Sequence, residues 1–266
     1  MSAERKQPDI SVIIPVRNGR RYIADALGSV LSQAGVSLDV VVVDDGSTDG
    51  TRRAIAAVGD DRVRVVSGPS QGVAAAMNVG LAEARGRYIA RCDGDDRYPP
   101  GRLAAQLAFL DANPDYGAVC GRFETLDDWG NPILLTASAG NEACELTWDL
   151  RSGRVKVHLC TYLVRREPLL ATGGFRSYFR TSSDIDFQLR LCEQTRVWYE
   201  PATWYGYRLH DDSITHRHTK RLQRFYEAQA RRFQRQRTRR ATATGRGLDD
   251  LDLGVPPEPP ERGEAQ

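Results

Sequence analysis

The stretch LDVVVVDDGSTDG, residues 38–50, decides the fold. Its four consecutive valines show no polar alternation, which is the pattern of a strand covered on both faces. β-Branched side chains suit that extended state. The run stops at Asp44-Asp45-Gly46-Ser47, and Thr48 or Asp49 can cap a helix expected over 50–58. Upstream, ISVIIPV (10–16) reads as a second buried strand. Tyr22, Ile23, Ala26, Leu27, Val30 and Leu31 follow at the spacing of an amphipathic helix over 20–34. Downstream, RVRVV (62–66) reads as a strand and 72–85 as a helix that Gly86 stops. RYIARC (87–92) then reads as a fourth strand, running into Asp93-Gly94-Asp95-Asp96.

Strands alternating with helices predict an α/β fold, a mostly parallel sheet with right-handed crossovers and helices on both faces. Ligands of such sheets sit at the carboxyl ends of the strands. Three features fall there: Pro15 to Asn18, Asp44 to Asp49, and Asp93 to Asp96. The second half predicts a helix at 102–112, strands at 117–125 and 155–165, a helix at 184–195 and an aromatic-rich extended stretch at 197–209.

The chain has 266 residues, room for one α/β domain over 8–215 plus an appendage. Residues 217–240 hold ten Lys/Arg against one acid, Glu227, so a basic C-terminal helix is expected over 216–242. Leu222, Phe225, Tyr226 and Phe233 form a near-helical stripe along it. That stripe fits a docked helix, and the basic charge fits peripheral contact with an anionic membrane. No aromatic platform is interleaved with the charge, so no nucleic-acid partner is expected. The Pro/Gly-rich, charged residues 243–266 predict a disordered tail. Five scattered cysteines with no Cys-x-x-Cys argue against a disulfide framework or a cysteine zinc site and for a reducing compartment. Neither a signal peptide nor an apolar run of about 20 residues is visible. The expectation is a cytoplasmic protein, with peripheral attachment at the inner face of the membrane and homodimerisation both open.

Three carboxylates within four residues at a strand end need a compensating cation. Hard oxygen ligands favour Mg²⁺ or Mn²⁺, held by one or two carboxylates and substrate phosphates. Such an ion stabilises a diphosphate leaving group. The chain lacks a Walker lysine loop and a Gly-x-Gly-x-x-Gly after its first strand, so phosphate handling is expected to be metal-based.

These segments resemble the family 2 glycosyltransferases, which have the GT-A fold. The resemblance is carried by SVIIPVRNG (11–19), VVVDDGSTDG (41–50), GVAAAMNVGLAEARGRYIARCDGDD (72–96), GRLAAQLAFLDANPDYGAVCG (101–121), GGFR (173–176), SSDIDFQLRL (182–191) and YRLHDDSIT (207–215), in that order. It implies an inverting, metal-dependent transfer from a nucleotide-sugar donor, expected to be a UDP-sugar, to a glycan, lipid-linked or small-molecule hydroxyl acceptor. It further implies that Pro15, Arg17, Asn18, Asp44, Asp45, Asn78, Asp93 and Gly94 hold the donor. Asp93, Asp95 and His210 are then the metal ligands and Asp184 the catalytic base. Position 183 is Ser where many relatives have Glu, and Asp186 is a rival base. Met77 is expected in the core, His158 as a structural histidine, and Trp129 as an exposed acceptor contact. A catalytically silent nucleotide-sugar binder and a sugar nucleotidyltransferase are the alternative readings.

Overall fold

The computed structural model describes residues 7–136, 139–211 and 220–244. Its elements run in the order β1 (Ile10–Val16), α1 (Ile23–Leu31), β2 (Leu38–Asp44), α2 (Thr51–Ala56), β3 (Val63–Ser67), α3 (Val73–Glu83), β4 (Tyr88–Arg91) and α4 (Arg102–Ala112). Then come β5 (Tyr116–Leu126), β6 (Pro132–Thr136), β7 (Cys144–Glu145), α5 (Thr147–Arg151), β8 (Leu163–Arg165), α6 (Arg166–Ala171), α7 (Ser183–Gln194), β9 (Arg196–Arg208) and α8 (Lys220–Thr244).

One mixed sheet carries the strands in the order β3-β2-β1-β4-β8-β5-β9-β7, with β6 paired to β5. The first four strands run parallel, with β1 between β2 and β4. β8 enters antiparallel to both β4 and β5, and β5 pairs parallel with β9. Helices cover both faces. On one, Ile13, Val41 and Val43 pack with Ala76, Met77, Phe187 and Leu191. On the other, Val12, Ile14, Val40 and Val42 meet Ile23, Leu27, Leu103 and Leu107. The valine run of β2 is fully buried, as its unalternated pattern requires. Gly80 lets α3 approach the sheet closely, since a Cβ there would lie 2.3 Å from Ile13 Cγ2.

The strand expected over 155–165 is mostly something else. Only Leu163–Arg165 is strand, preceded by a 3-10 turn at Leu159–Thr161 and followed by α6, which the sequence reading did not place. Pro168 sits in the first turn of α6, where its missing N–H costs no helical bond. The basic helix is present as α8 over its described residues, and 216–219 of the expected span lie outside them. Its apolar stripe is docked: Tyr226, Ala230 and Phe233 are buried against Phe179 and Leu189. Arg237 pairs with Glu193 of α7 at 2.8 Å, and Gln234 donates to the Leu150 carbonyl at 2.8 Å. The tail expected over 243–266 lies outside the described residues beyond Thr244. No described helix is long and apolar enough to cross a membrane. All five cysteines are free.

Candidate active site

The parallel strands deliver their carboxyl ends to one edge, and the loops there are tied to each other. After β1, the Asn18 N–H donates to Ser47 Oγ at 2.9 Å, and Asn18 Oδ1 accepts from Thr48 N at 2.9 Å. After β2, Asp44 is buried and accepts from Ser47 N at 2.9 Å and from Arg52 Nε at 2.5 Å. Burial pushes its carboxyl up, but the bonds from Ser47 and Arg52 outweigh that and hold it below the ordinary value. Gly46 makes the turn possible at φ 87°, and a Cβ there would meet Ser70 Oγ at 2.3 Å.

The described residues include three non-glycine residues with positive φ: Asn18, Ser70 and Ser182. Asn18 and Ser70 border this edge, and Ser182 immediately precedes α7, at the end that carries Asp184. Backbone strain of this kind concentrates where a structure must place particular atoms.

The acidic loop after β4 is built by β9. Asp96 is buried and accepts from the Tyr205 hydroxyl at 2.6 Å and from Arg208 N at 2.7 Å. Burial, then the charges of Asp95 and Asp93, push its carboxyl well above the ordinary range. The Tyr205 hydroxyl also accepts from Asp93 N at 3.0 Å. Arg208, itself buried, donates to the Asp95 carbonyl at 2.8 Å, to Asp25 Oδ2 at 2.5 Å and to the Asp128 carbonyl at 2.9 Å. Asp95 is left with its carboxylate toward solvent, Oδ2 lying 2.9 Å from His210 Nε2. The His210 ring packs on Tyr22, centroids 4.6 Å apart, and the Tyr22 hydroxyl bonds Asp128. Burial and that carboxylate push the Tyr22 phenol up to about 12.

Asp93 is not the equal of Asp95. Arg91 Nε and Nη2 hold both its carboxylate oxygens, at 2.7 and 3.0 Å. Of the two expected carboxylates, Asp93 is ion-paired to Arg91 and Asp95 to His210. Among the described residues no three His, Cys, Asp or Glu side chains group to hold a metal by themselves. Asp95 with His210 does fit a hard divalent ion that takes its other ligands from a diphosphate and water, the usual habit of Mg²⁺.

At the amino end of α7, Asp184 is half-buried and has no hydrogen-bond partner among the described residues. Its rival is occupied. Asp186 is fully buried, 2.8 Å from Arg190 Nη2 and 3.3 Å from Arg176 Nη1.

Four of the residues expected at the donor are hydrogen-bonded within the protein or buried. The Asp45 carboxylate accepts from Ser70 N at 2.7 Å and Gly72 N at 2.8 Å, so it shapes the loop before α3. The Asn78 amide is spent on Phe175, donating to its carbonyl and accepting from its N–H, each at 2.7 Å. It anchors the Gly173–Phe175 turn instead of facing a ligand. Pro15 is buried within β1 opposite Val43. Gly94 is buried too, where a Cβ would lie 2.8 Å from Val16 Cγ2. Arg17 and Asn18 are exposed at the site edge. Met77 is in the core as expected, and Trp129 is 80% exposed. Tyr205 and Arg208, which assemble the acidic loop, were missed. The motif YRLH could have flagged Arg208, but β9 shows no alternation around Tyr205, and their partner Asp96 lies more than a hundred residues away.

A model of Glycosyl transferase family 2 matches residues 11–183. EpsE of Bacillus subtilis strain 168, whose name calls it a glycosyltransferase, is 33% identical over 194 residues, spanning 70% of this chain and 68% of EpsE. The structure of S. aureus TarS 1–349 in complex with UDP-GlcNAc is similar at TM-score 0.71 and 21% identity, over 83% of this chain and 64% of that one. The mannosyltransferase PcManGT from Pyrobaculum calidifontis, in complex with GDP-Man and Mn²⁺, is similar at TM-score 0.63 and 22% identity, over 91% of this chain and 66% of that one. At these identities the two structures bear on the fold, which is of the GT-A type.

Proposed function

The chain belongs to glycosyl transferase family 2, and on that premise we propose that it transfers a sugar from a nucleoside-diphosphate sugar to a hydroxyl acceptor, with inversion and with Mn²⁺ or Mg²⁺. The observation that carries this reading is the contrast between the two carboxylates in the first turn of α7. Asp184 is half-buried with no hydrogen-bond partner among the described residues, while Asp186 is locked in a buried ion pair.

A sugar hydroxyl is a weak nucleophile, so a carboxylate must take its proton as the oxygen attacks the anomeric carbon. Asp184 has a free acceptor oxygen for that proton. One base without a covalent nucleophile suits a single displacement and therefore inversion. Ser183, in place of the Glu of many relatives, leaves Asp184 without a like-charged neighbour on one side. When bound, a divalent ion supplies charge stabilisation to the departing diphosphate. Asp95 and His210 would hold it, with Asp93, paired to Arg91, toward the nucleotide. Asp44, held ionised, can accept an N–H or hydroxyl of the nucleoside, and Asn18 and Arg17 edge the same pocket. A UDP-sugar is the proposed donor, which the similarity to the UDP-GlcNAc-bound TarS structure supports. The proposed acceptor is a glycan, a lipid-linked saccharide or a small hydroxyl compound.

Nucleotide release from a panel of UDP- and GDP-sugars, assayed with Mn²⁺, Mg²⁺ and EDTA, tests this. Metal-dependent release from at least one donor is expected. Donor binding without release under any condition would instead make the chain a silent nucleotide-sugar binder.

A further inference from the structure

His158 precedes the 3-10 turn at Leu159–Thr161, where its carbonyl accepts from Thr161 N at 3.0 Å and from Thr161 Oγ1 at 2.8 Å. Its ring is boxed by Phe123, Tyr205 and Tyr207, at centroid distances of 5.5, 5.8 and 5.8 Å. A structural histidine in such a box would use both ring nitrogens. This one does not: Nδ1 is buried with no partner among the described residues. A buried N–H without an acceptor is rarer and costlier than a buried lone pair without a donor. The proton therefore belongs on Nε2. Burial also pushes the imidazole below its ordinary value, against the opposing pull of Asp184 and Asp93. That keeps the ring neutral and the Nε2–H a directed donor.

Tyr205, stacked on His158 and accepting from Asp93 N at 3.0 Å, locates the ring near Asp93, and the 3-10 turn after His158 packs against α7, which carries Asp184. Asp184 marks where the acceptor oxygen is activated, and Asp93 marks the diphosphate end of the donor. The transferred sugar must lie between them. Phe123 and Tyr207 are both half-buried beside His158, and aromatic faces of this kind suit the apolar face of a sugar ring.

We infer that His158, walled by Phe123 and Tyr207, forms the subsite for the transferred sugar, with Nε2–H donating to one of its ring hydroxyls. The inference rests on the donor reading given above and adds the contact that separates a sugar nucleotide from the bare nucleotide.

The test is a pair of calorimetric titrations in Mn²⁺, UDP against UDP-GlcNAc, repeated as GDP against GDP-Man if the wild type prefers that pair. His158→Phe preserves an aromatic ring in an aromatic box and removes the N–H. It should bind UDP as the wild type does and UDP-GlcNAc about tenfold more weakly, the size of one hydrogen bond. His158→Gln, which returns an N–H near the Nε2 position, should recover part of that loss. An unchanged ratio of the two affinities in His158→Phe, or equal weakening of both ligands, overturns the subsite. Wild-type protein that binds neither nucleotide pair overturns the donor reading and the subsite with it.

Discussion

His210 Nε2 lies 2.9 Å from Asp95 Oδ2, although 115 positions separate the two residues. The pair exists because Asp96 and Arg208 clamp the acidic loop to the end of β9, which places His210 two residues beyond the clamp. If these two side chains share a metal, His210→Ala should raise the Mn²⁺ concentration for half-maximal activity by about tenfold or more. The nucleotide-release assay across a Mn²⁺ titration measures it, and an unchanged metal requirement removes His210 from the metal shell.

The two acids in the first turn of α7 should fail in different ways. Asp184→Asn should lower transfer by about 10²–10⁴-fold while the affinity for donor stays at the wild-type value. Asp186→Asn leaves Arg190 buried and uncompensated, so it should cost about 3–5 kcal/mol of stability, read by urea unfolding. If Asp186→Asn is stable and inactive, the roles are reversed.

Asp44 gives a pH prediction. Its carboxyl is held below the ordinary aspartate value in the folded state, so its pairing stabilises the fold fully above that value. The contribution is lost as the pH falls below it. Asp44→Asn should therefore lower stability more at pH 7 than at pH 3, in paired unfolding curves of wild type and variant. Equal losses at both pH values would mean that the Ser47 and Arg52 bonds do not favour the ionised form.

Helix α8 should be structural whatever else its basic face does. Phe233 is fully buried between α7 and the rest of α8, so Phe233→Ala should cost about 3–5 kcal/mol. Removing residues 216–266 should lower the melting temperature by uncovering Phe179 and Leu189. A truncated chain that melts like the full one would show that the docked stripe contributes little.

The first half of the fold was legible because β1, β2 and β4 are runs of apolar residues with sharp polar ends. Periodicity reports burial, and these strands are buried on both faces. The second half was less legible, because its strands are short or half-exposed and its helices brief. α6 and β7 carry too few residues to show a period. Within the site, the strand ends pointed to Asp44 and Asp95 and the family resemblance to Asp184, but neither could say what each carboxylate touches. Asp45 and Asn78 looked like ligand contacts and are instead spent on loop backbone, a fact that depends on partners at Ser70, Gly72 and Phe175. Tyr205 and Arg208 escaped notice for the same reason: pairings over long sequence separations leave no local pattern.

Asp95 should make donor binding metal-dependent. Calorimetric titration of UDP into wild type and Asp95→Asn, each in Mn²⁺ and in EDTA, measures this. Tight binding is expected only for wild type in Mn²⁺, with Asp95→Asn folded and weak in both conditions. Wild-type affinity that survives EDTA, or an Asp95→Asn variant that keeps the full Mn²⁺ effect, would contradict it.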